Sequence, residues 1–216
     1  MEPSRNISEV DFVSYPVSYS NPISLQRFLK IREHTVLTGL LACEKTKLVL
    51  NQQIVAKLPI VPTLDKRDAR IFLLMASLSE IELNLISARI TTFYHDEIVR
   101  KITEPEKVHK LLEWTKIKDV KDLLSGRSHA PFAGVPICPC AEVKYLAPVS
   151  KIFRSYLLGL LPPSHIQRMA LALSSDIAKS AEPTSNKVAS EALKEVVEFA
   201  FRLPVTEIAE IPVISE

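Results

Sequence analysis

Two thiols one residue apart, Cys138-Pro139-Cys140, have the type and spacing in this chain that come nearest to chemistry. Thiolates hold zinc or cycle through disulfides, but the usual loop places two residues between the pair, and Cys-x-Cys is a poorer half-site. His129 and the distant Cys43 would have to complete the ligand set, and no second paired motif is present to help. Two small loop or core thiols is the preferred reading, ahead of a metal or redox centre. The 5 histidines (His34, His95, His109, His129 and His165) include no i, i+4 pair enclosing a glutamate, the arrangement of helical zinc hydrolases. His95-Asp96-Glu97 sets acids beside an imidazole, yet adjacent residues on a helix diverge and assemble no relay, so a surface cluster is expected.

Phosphate chemistry fares no better. The glycines Gly39, Gly126, Gly134 and Gly159 stand singly, whereas dinucleotide and Walker loops need clustered glycines to bring backbone N–H groups onto phosphate. No serine sits between glycines as a nucleophile elbow requires. The expectation is a protein that is not an enzyme, with no catalytic, cofactor-binding or metal residues and no cofactor.

The elements that carry these residues are helical. Only 4 glycines against 15 prolines in 216 residues argue against hairpin-rich β structure and for helices cut by stiff connections. Hydrophobic residues at 47% and charged residues at 24% are globular values, far from a disordered composition. The formal charge of +2 and a pI near 8.4 lack the basic excess typical of nucleic-acid domains. No apolar run reaches the length of about 18 residues needed to cross a bilayer, Ile71 to Leu78 and Tyr156 to Leu161 being the best candidates. Glu2, Glu9 and Asp11 do not read as a secretory leader, and an odd cysteine count suits a reducing compartment. A cytoplasmic protein is expected.

Apolar periodicity predicts an all-α, irregular bundle of about seven to nine helices, in one domain or two unequal lobes. Residues 1–21 are expected to form an extended N-terminal arm, 22–125 an N-terminal helical lobe, 126–148 a Pro-rich connector and 149–216 a C-terminal helical lobe. The broad stripe of Ile71, Leu74, Met75, Leu78, Ile81, Leu85 and Ile86 predicts one central helix over about Lys66–Arg89, capped by Thr63 or Asp65. Glu104-Pro105-Glu106 opens another, with Val108, Leu111, Leu112 and Trp114 on its apolar side. A last helix over about Asn186–Phe201, capped by Thr184 or Ser185, buries Val188, Leu193, Val196, Val197 and Ala200. Leu160-Leu161-Pro162-Pro163-Ser164 is a helix stop followed by a fresh start. It is either a plain corner or a place where His165 and Arg168 face a partner.

The segment Pro16-Val17-Ser18-Tyr19-Ser20-Asn21-Pro22-Ile23-Ser24-Leu25 is the most shaped part of the chain. Each proline fixes φ and pushes the residue before it, Tyr15 or Asn21, out of the α region. Pro22 suits the first turn of a helix capped by Asn21 or Ser20. Tyr19 is an amphipathic anchor, able to pin the arm to the core or to shape a docking surface.

Pro16, Tyr19, Pro22 and Leu25 also fall at the spacing found near the N-terminus of the type III secretion cytoplasmic adaptor, the SctK family that includes OrgA, MxiK and PscK. That pattern usually has His before the second proline, where this chain has Asn21. A weaker echo lies in Leu161-Pro162-Pro163-Ser164-His165-Ile166-Gln167-Arg168, since the family often carries leucine-proline ahead of an arginine-containing amphipathic helix. The resemblance implies a non-enzymatic adaptor in the bacterial cytoplasm, peripheral to the inner membrane, linking the ring protein SctD to the pod protein SctQ. Through SctQ it would connect to the stator SctL and the ATPase SctN, without nucleic acid or membrane insertion. Pro16, Tyr19, Asn21, Pro22, Leu25, Pro162 and Arg168 are its motif or partner-binding candidates. The alternative is a helical nucleic-acid or regulatory binding module using the lysines from Lys101 to Lys121, although acids interleave them.

Overall fold

Prolines, caps and two left-handed lysines cut this chain into short helices. The computed structural model describes residues 9–60, 66–76, 78–124, 135–173, 193–197 and 200, and among them no strand occurs. The N-terminal part holds α1 (Glu9–Ser14), α2 (Pro16–Tyr19), α3 (Pro22–Leu29), α4 (His34–Ala42) and α5 (Glu44–Lys57). Then come α6 (Lys66–Ala76), α7 (Glu80–Tyr94), α8 (Asp96–Val99), α9 (Pro105–Thr115) and α10 (Val120–Leu123). The last two are α11 (Val143–Gly159) and α12 (Pro163–Met169), and residues 193–197 are helical as well. The all-α expectation holds, but these twelve helices exceed the expected seven to nine.

Three expectations need correction, and the first two add helices. The described part of the expected extended arm is helical, as α1 and α2; extended backbone remains only around Ser20 (φ −70°, ψ 140°) and Asn21 (φ −69°, ψ 131°). Pro16 and Pro22 therefore start helices rather than prolong an arm, each occupying a first-turn position where its missing N–H costs nothing. The single helix expected over Lys66–Arg89 is two. Ser79 interrupts it with a reciprocal cap, its Oγ accepting from Glu82 N–H at 3.2 Å while its own N–H donates to Glu82 Oε2 at 2.8 Å. Finally, Pro148 lies inside α11 instead of closing the connector, because Glu142 already launches the helix by accepting from Tyr145 and Leu146. Thr63, Asp65, Thr184, Ser185, Val188 and His129 lie outside the described residues.

Helix α7 is the centre of the core. Every residue from Ile86 to Phe93 is buried, so the helix has no solvent face along this stretch. Its hydroxyls are accommodated by folding back: Ser87 donates to Leu83 O at 2.7 Å, Thr91 to Ser87 O at 2.7 Å and Thr92 to Ala88 O at 2.9 Å. The long helix α11 packs along α7, and α9 touches both. Leu146, Val149, Phe153 and Leu157 supply the buried stripe of α11. Arg89, wholly buried, points from α7 to the end of α9, donating to Thr115 O at 2.9 Å and Lys116 O at 3.1 Å. It thereby covers carbonyls that the terminating helix leaves free. One cluster runs from Phe12 through α7 and α11 to Val196, Val197 and Ala200, so residues on both sides of 126–148 share it. A smaller one joins Leu25, Leu37, Ile54 and Leu171.

Candidate functional site

The two segments that carry the resemblance meet. Tyr19 is 1% exposed, stacks on Phe12 with centroids 5.5 Å apart, and donates its hydroxyl to Phe12 O at 2.9 Å. Arg168 of α12 comes from the other side, entirely buried, with Nη1 3.5 Å from the Tyr19 hydroxyl. The same guanidinium donates through Nε to Leu58 O at 2.8 Å and through Nη1 to Phe12 O at 3.3 Å and Val13 O at 3.4 Å. A planar fork can serve carbonyls of α1 and the end of α5 at once, which a lysine ammonium cannot. Its Nη2 has no partner among the described residues. Burial pushes the Tyr19 hydroxyl pKa up to about 12, against the opposing pull of the Arg168 charge, so the phenol stays protonated and donates.

His165 completes the assembly. Its ring stacks on Phe12 with centroids 5.9 Å apart and meets Phe72 at 5.7 Å. Burial, then the Arg168 charge, hold its pKa below the ordinary histidine value. Of the two readings of the double-proline corner, the plain corner fits: Arg168 faces α1 and the end of α5, and His165 faces α1 and α6. The other motif residues have places of their own, Leu25 in the smaller cluster with Leu37, Ile54 and Leu171. Pro16 and Leu25 are buried; Asn21 Oδ1 accepts from Ile23 N–H at 2.9 Å to cap α3, and its N–H donates to Leu171 O at 2.6 Å. Pro162 is half-buried at the start of α12, and Pro22 is exposed at the first turn of α3.

Beside this clasp lies an open cleft of about 840 Å³. Tyr15, Val17 and Ser18 form one wall, next to Asp11. Leu41, Lys47, Leu48 and Asn51 form the other, with Glu44 at the rim. The wall is set by the buried side of α2: while Pro16 and Tyr19 point inward, Tyr15 and Ser18 are exposed. Asn51 fixes the spacing of the walls, its Oδ1 accepting the Val17 N–H at 2.9 Å. Leu48 is 52% exposed and Tyr15 44%, so apolar surface is available within the cleft. No local pattern announces this feature, which is made by residues of separate helices.

Two of the remaining candidates, His95 and Cys138, are hydrogen-bonded within the fold. The expected surface cluster at His95-Asp96-Glu97 is corrected, because His95 and Asp96 are buried, and His95 uses both ring nitrogens: Nδ1–H donates to Thr91 O at 2.8 Å and Nε2 accepts from Cys138 N–H at 3.1 Å. Burial lowers its pKa, which agrees with a neutral ring in that tautomer. Cys138 is buried and donates its thiol to Tyr145 O at 3.3 Å, burial raising its pKa; Cys140 is half-buried, and all three cysteines are free. Among the described residues no group of three His, Cys, Asp or Glu could hold a metal. Along the lysine-rich stretch, Lys107 pairs with Glu104 at 2.7 Å and Glu142 at 3.3 Å, so acids from two elements meet it. No single helix among the described residues is long and apolar enough to cross a membrane; α6 and α7 pass only as a pair bent by 118°. No family profile, curated protein or solved structure matches this chain.

Proposed function

We propose that the chain is a non-enzymatic adaptor of a bacterial type III secretion system, joining the cytoplasmic part of SctD to SctQ, as its resemblance to the SctK family implies. The observation that carries the reading is the contact of Tyr19 with Arg168, because it joins the two segments on which the resemblance rests into one unit. That unit gives the motif a physical task. Tyr19 and Arg168 hold α1 and α2 against α12, and the outer side of α2 then forms one wall of the cleft. The cleft is amphipathic and open, suited to an apolar side of a partner helix laid between α2 and α5. In this account the adaptor works in the cytoplasm beside the inner membrane, with SctL and SctN reached through SctQ. Co-purification of the chain with each of SctD and SctQ tests it: capture of both supports the link, and capture of neither removes it.

A further inference from the structure

At the C-terminal end of α3 is a second, smaller concavity of about 360 Å³, lined by Ile23, Gln26, Arg27, Lys30, Ile31 and Arg32. Three of the six are cations and none is an acid. Arg27, Lys30 and Arg32 are exposed, and none has an ion pair among the described residues. Glu33, next in the chain, is exposed and pairs with none of them. The helix dipole accounts for cations in the last turn of α3, but Arg32 lies beyond the turn.

The backbone beneath these charges is fixed. Lys30 N–H donates to Arg27 O at 3.2 Å and Ile31 N–H to Gln26 O at 3.0 Å, so two of the terminal carbonyls of α3 are covered. Gln26 Nε2 donates to Arg32 O at 2.9 Å and ties the loop back onto the helix. Lys30 itself sits at φ 57°, a left-handed position that glycine takes without strain. Amid the cations Ile23 is 57% exposed.

The geometry points to this concavity as the docking site of an acidic, protein-borne segment whose carboxylates meet Arg27, Lys30 and Arg32 and whose apolar residue covers Ile23. Charge complementarity selects an anion, and the exposed isoleucine selects one with apolar character. A bilayer would be met by a broad apolar face, whereas Ile23 is the one large exposed hydrophobic of this lining, and a single-stranded nucleic acid would want aromatic side chains for stacking, of which the lining has none. The site is separate from the cleft and stands whether or not the chain belongs to a secretion apparatus.

The test uses the full chain and a fluorescent glutamate-rich peptide carrying one central leucine. A uridine oligonucleotide of equal charge and vesicles containing phosphatidylserine serve as competitors in class. The peptide is expected to bind, more weakly as salt rises. Arg27→Gln, Lys30→Gly and Arg32→Gln combined should weaken it about tenfold, the sum of three modest exposed pairs. Lys30→Gly alone should weaken it about twofold without lowering the melting temperature, which separates lost charge from lost fold. No peptide binding, equal binding by the triple variant, or tighter binding of the oligonucleotide or vesicles would each overturn the proposal.

Discussion

The Tyr19 hydroxyl and Arg168 Nη1 lie 3.5 Å apart although 149 positions separate them in the chain, and both share Phe12 O as acceptor. The N-terminal helices are therefore fastened to α12 by polar contacts inside a stacked aromatic cluster. Tyr19→Phe keeps the ring and removes the hydroxyl, and should cost about 1–2 kcal/mol in urea denaturation. Arg168→Met strips the Leu58 and Val13 carbonyls of the guanidinium, leaves Phe12 O to the Tyr19 hydroxyl alone, and should cost at least about 2 kcal/mol. Equal stability of both variants and the parent would show that the contact carries nothing.

Stability should depend on pH through the two buried histidines. His95 and His165 both have pKa values lowered from 6.5 in the folded chain, chiefly by burial. The unfolded chain then binds more protons below about 6.5, so their contribution is fully present above that pH and is lost as pH falls through and below it. The urea midpoint is expected to drop between about pH 7 and pH 5. His165→Phe keeps an aromatic ring against Phe12 and Phe72 and should flatten that slope; an unchanged slope would contradict the assignment.

The three thiols should react in a set order. Cys43 is exposed, its pKa lowered by hydrogen bonds from Thr46 and Lys45 at the start of α5, whereas burial raises that of Cys138. Alkylation followed by peptide mass spectrometry should label Cys43 first, half-buried Cys140 next and Cys138 last. Cys138 reacting ahead of Cys43 would show that the bond from its N–H to His95 does not keep the segment closed.

Gly39 offers a stabilising change. It lies within α4, and a Cβ built there meets nothing within 4 Å. Gly39→Ala should raise stability by about 0.5–1 kcal/mol, read as a higher melting temperature. A fall would mean that α4 is not the helix described.

Much of this structure is legible locally. Asn21-Pro22 and Glu104-Pro105 place the starts of α3 and α9 because proline and its preceding residue constrain backbone angles without help from elsewhere. The stripe of Leu193, Val196, Val197 and Ala200 is buried as its spacing predicts. The Ser79-x-x-Glu82 cap is also a sequence signal, overshadowed by the apolar residues that continue on both sides of it. Arg168 is different. An arginine after a double-proline corner suggests a surface helix, and only carbonyls from α1 and α5, more than a hundred positions away, make burial tolerable. The cleft is equally hidden from sequence, since its walls meet through the Val17–Asn51 hydrogen bond.

The proposed function requires the cleft beside α2 to receive a secretion-apparatus subunit. Leu48, half-exposed in its wall, can be changed to glutamate with a stability effect within about 0.5 kcal/mol. Purified chain should form a complex with SctD or SctQ at about 10 μM, and the Leu48→Glu chain, equally folded, should lose one of those complexes. Failure of the parent chain to bind either subunit, or undiminished binding of both by Leu48→Glu, would contradict it.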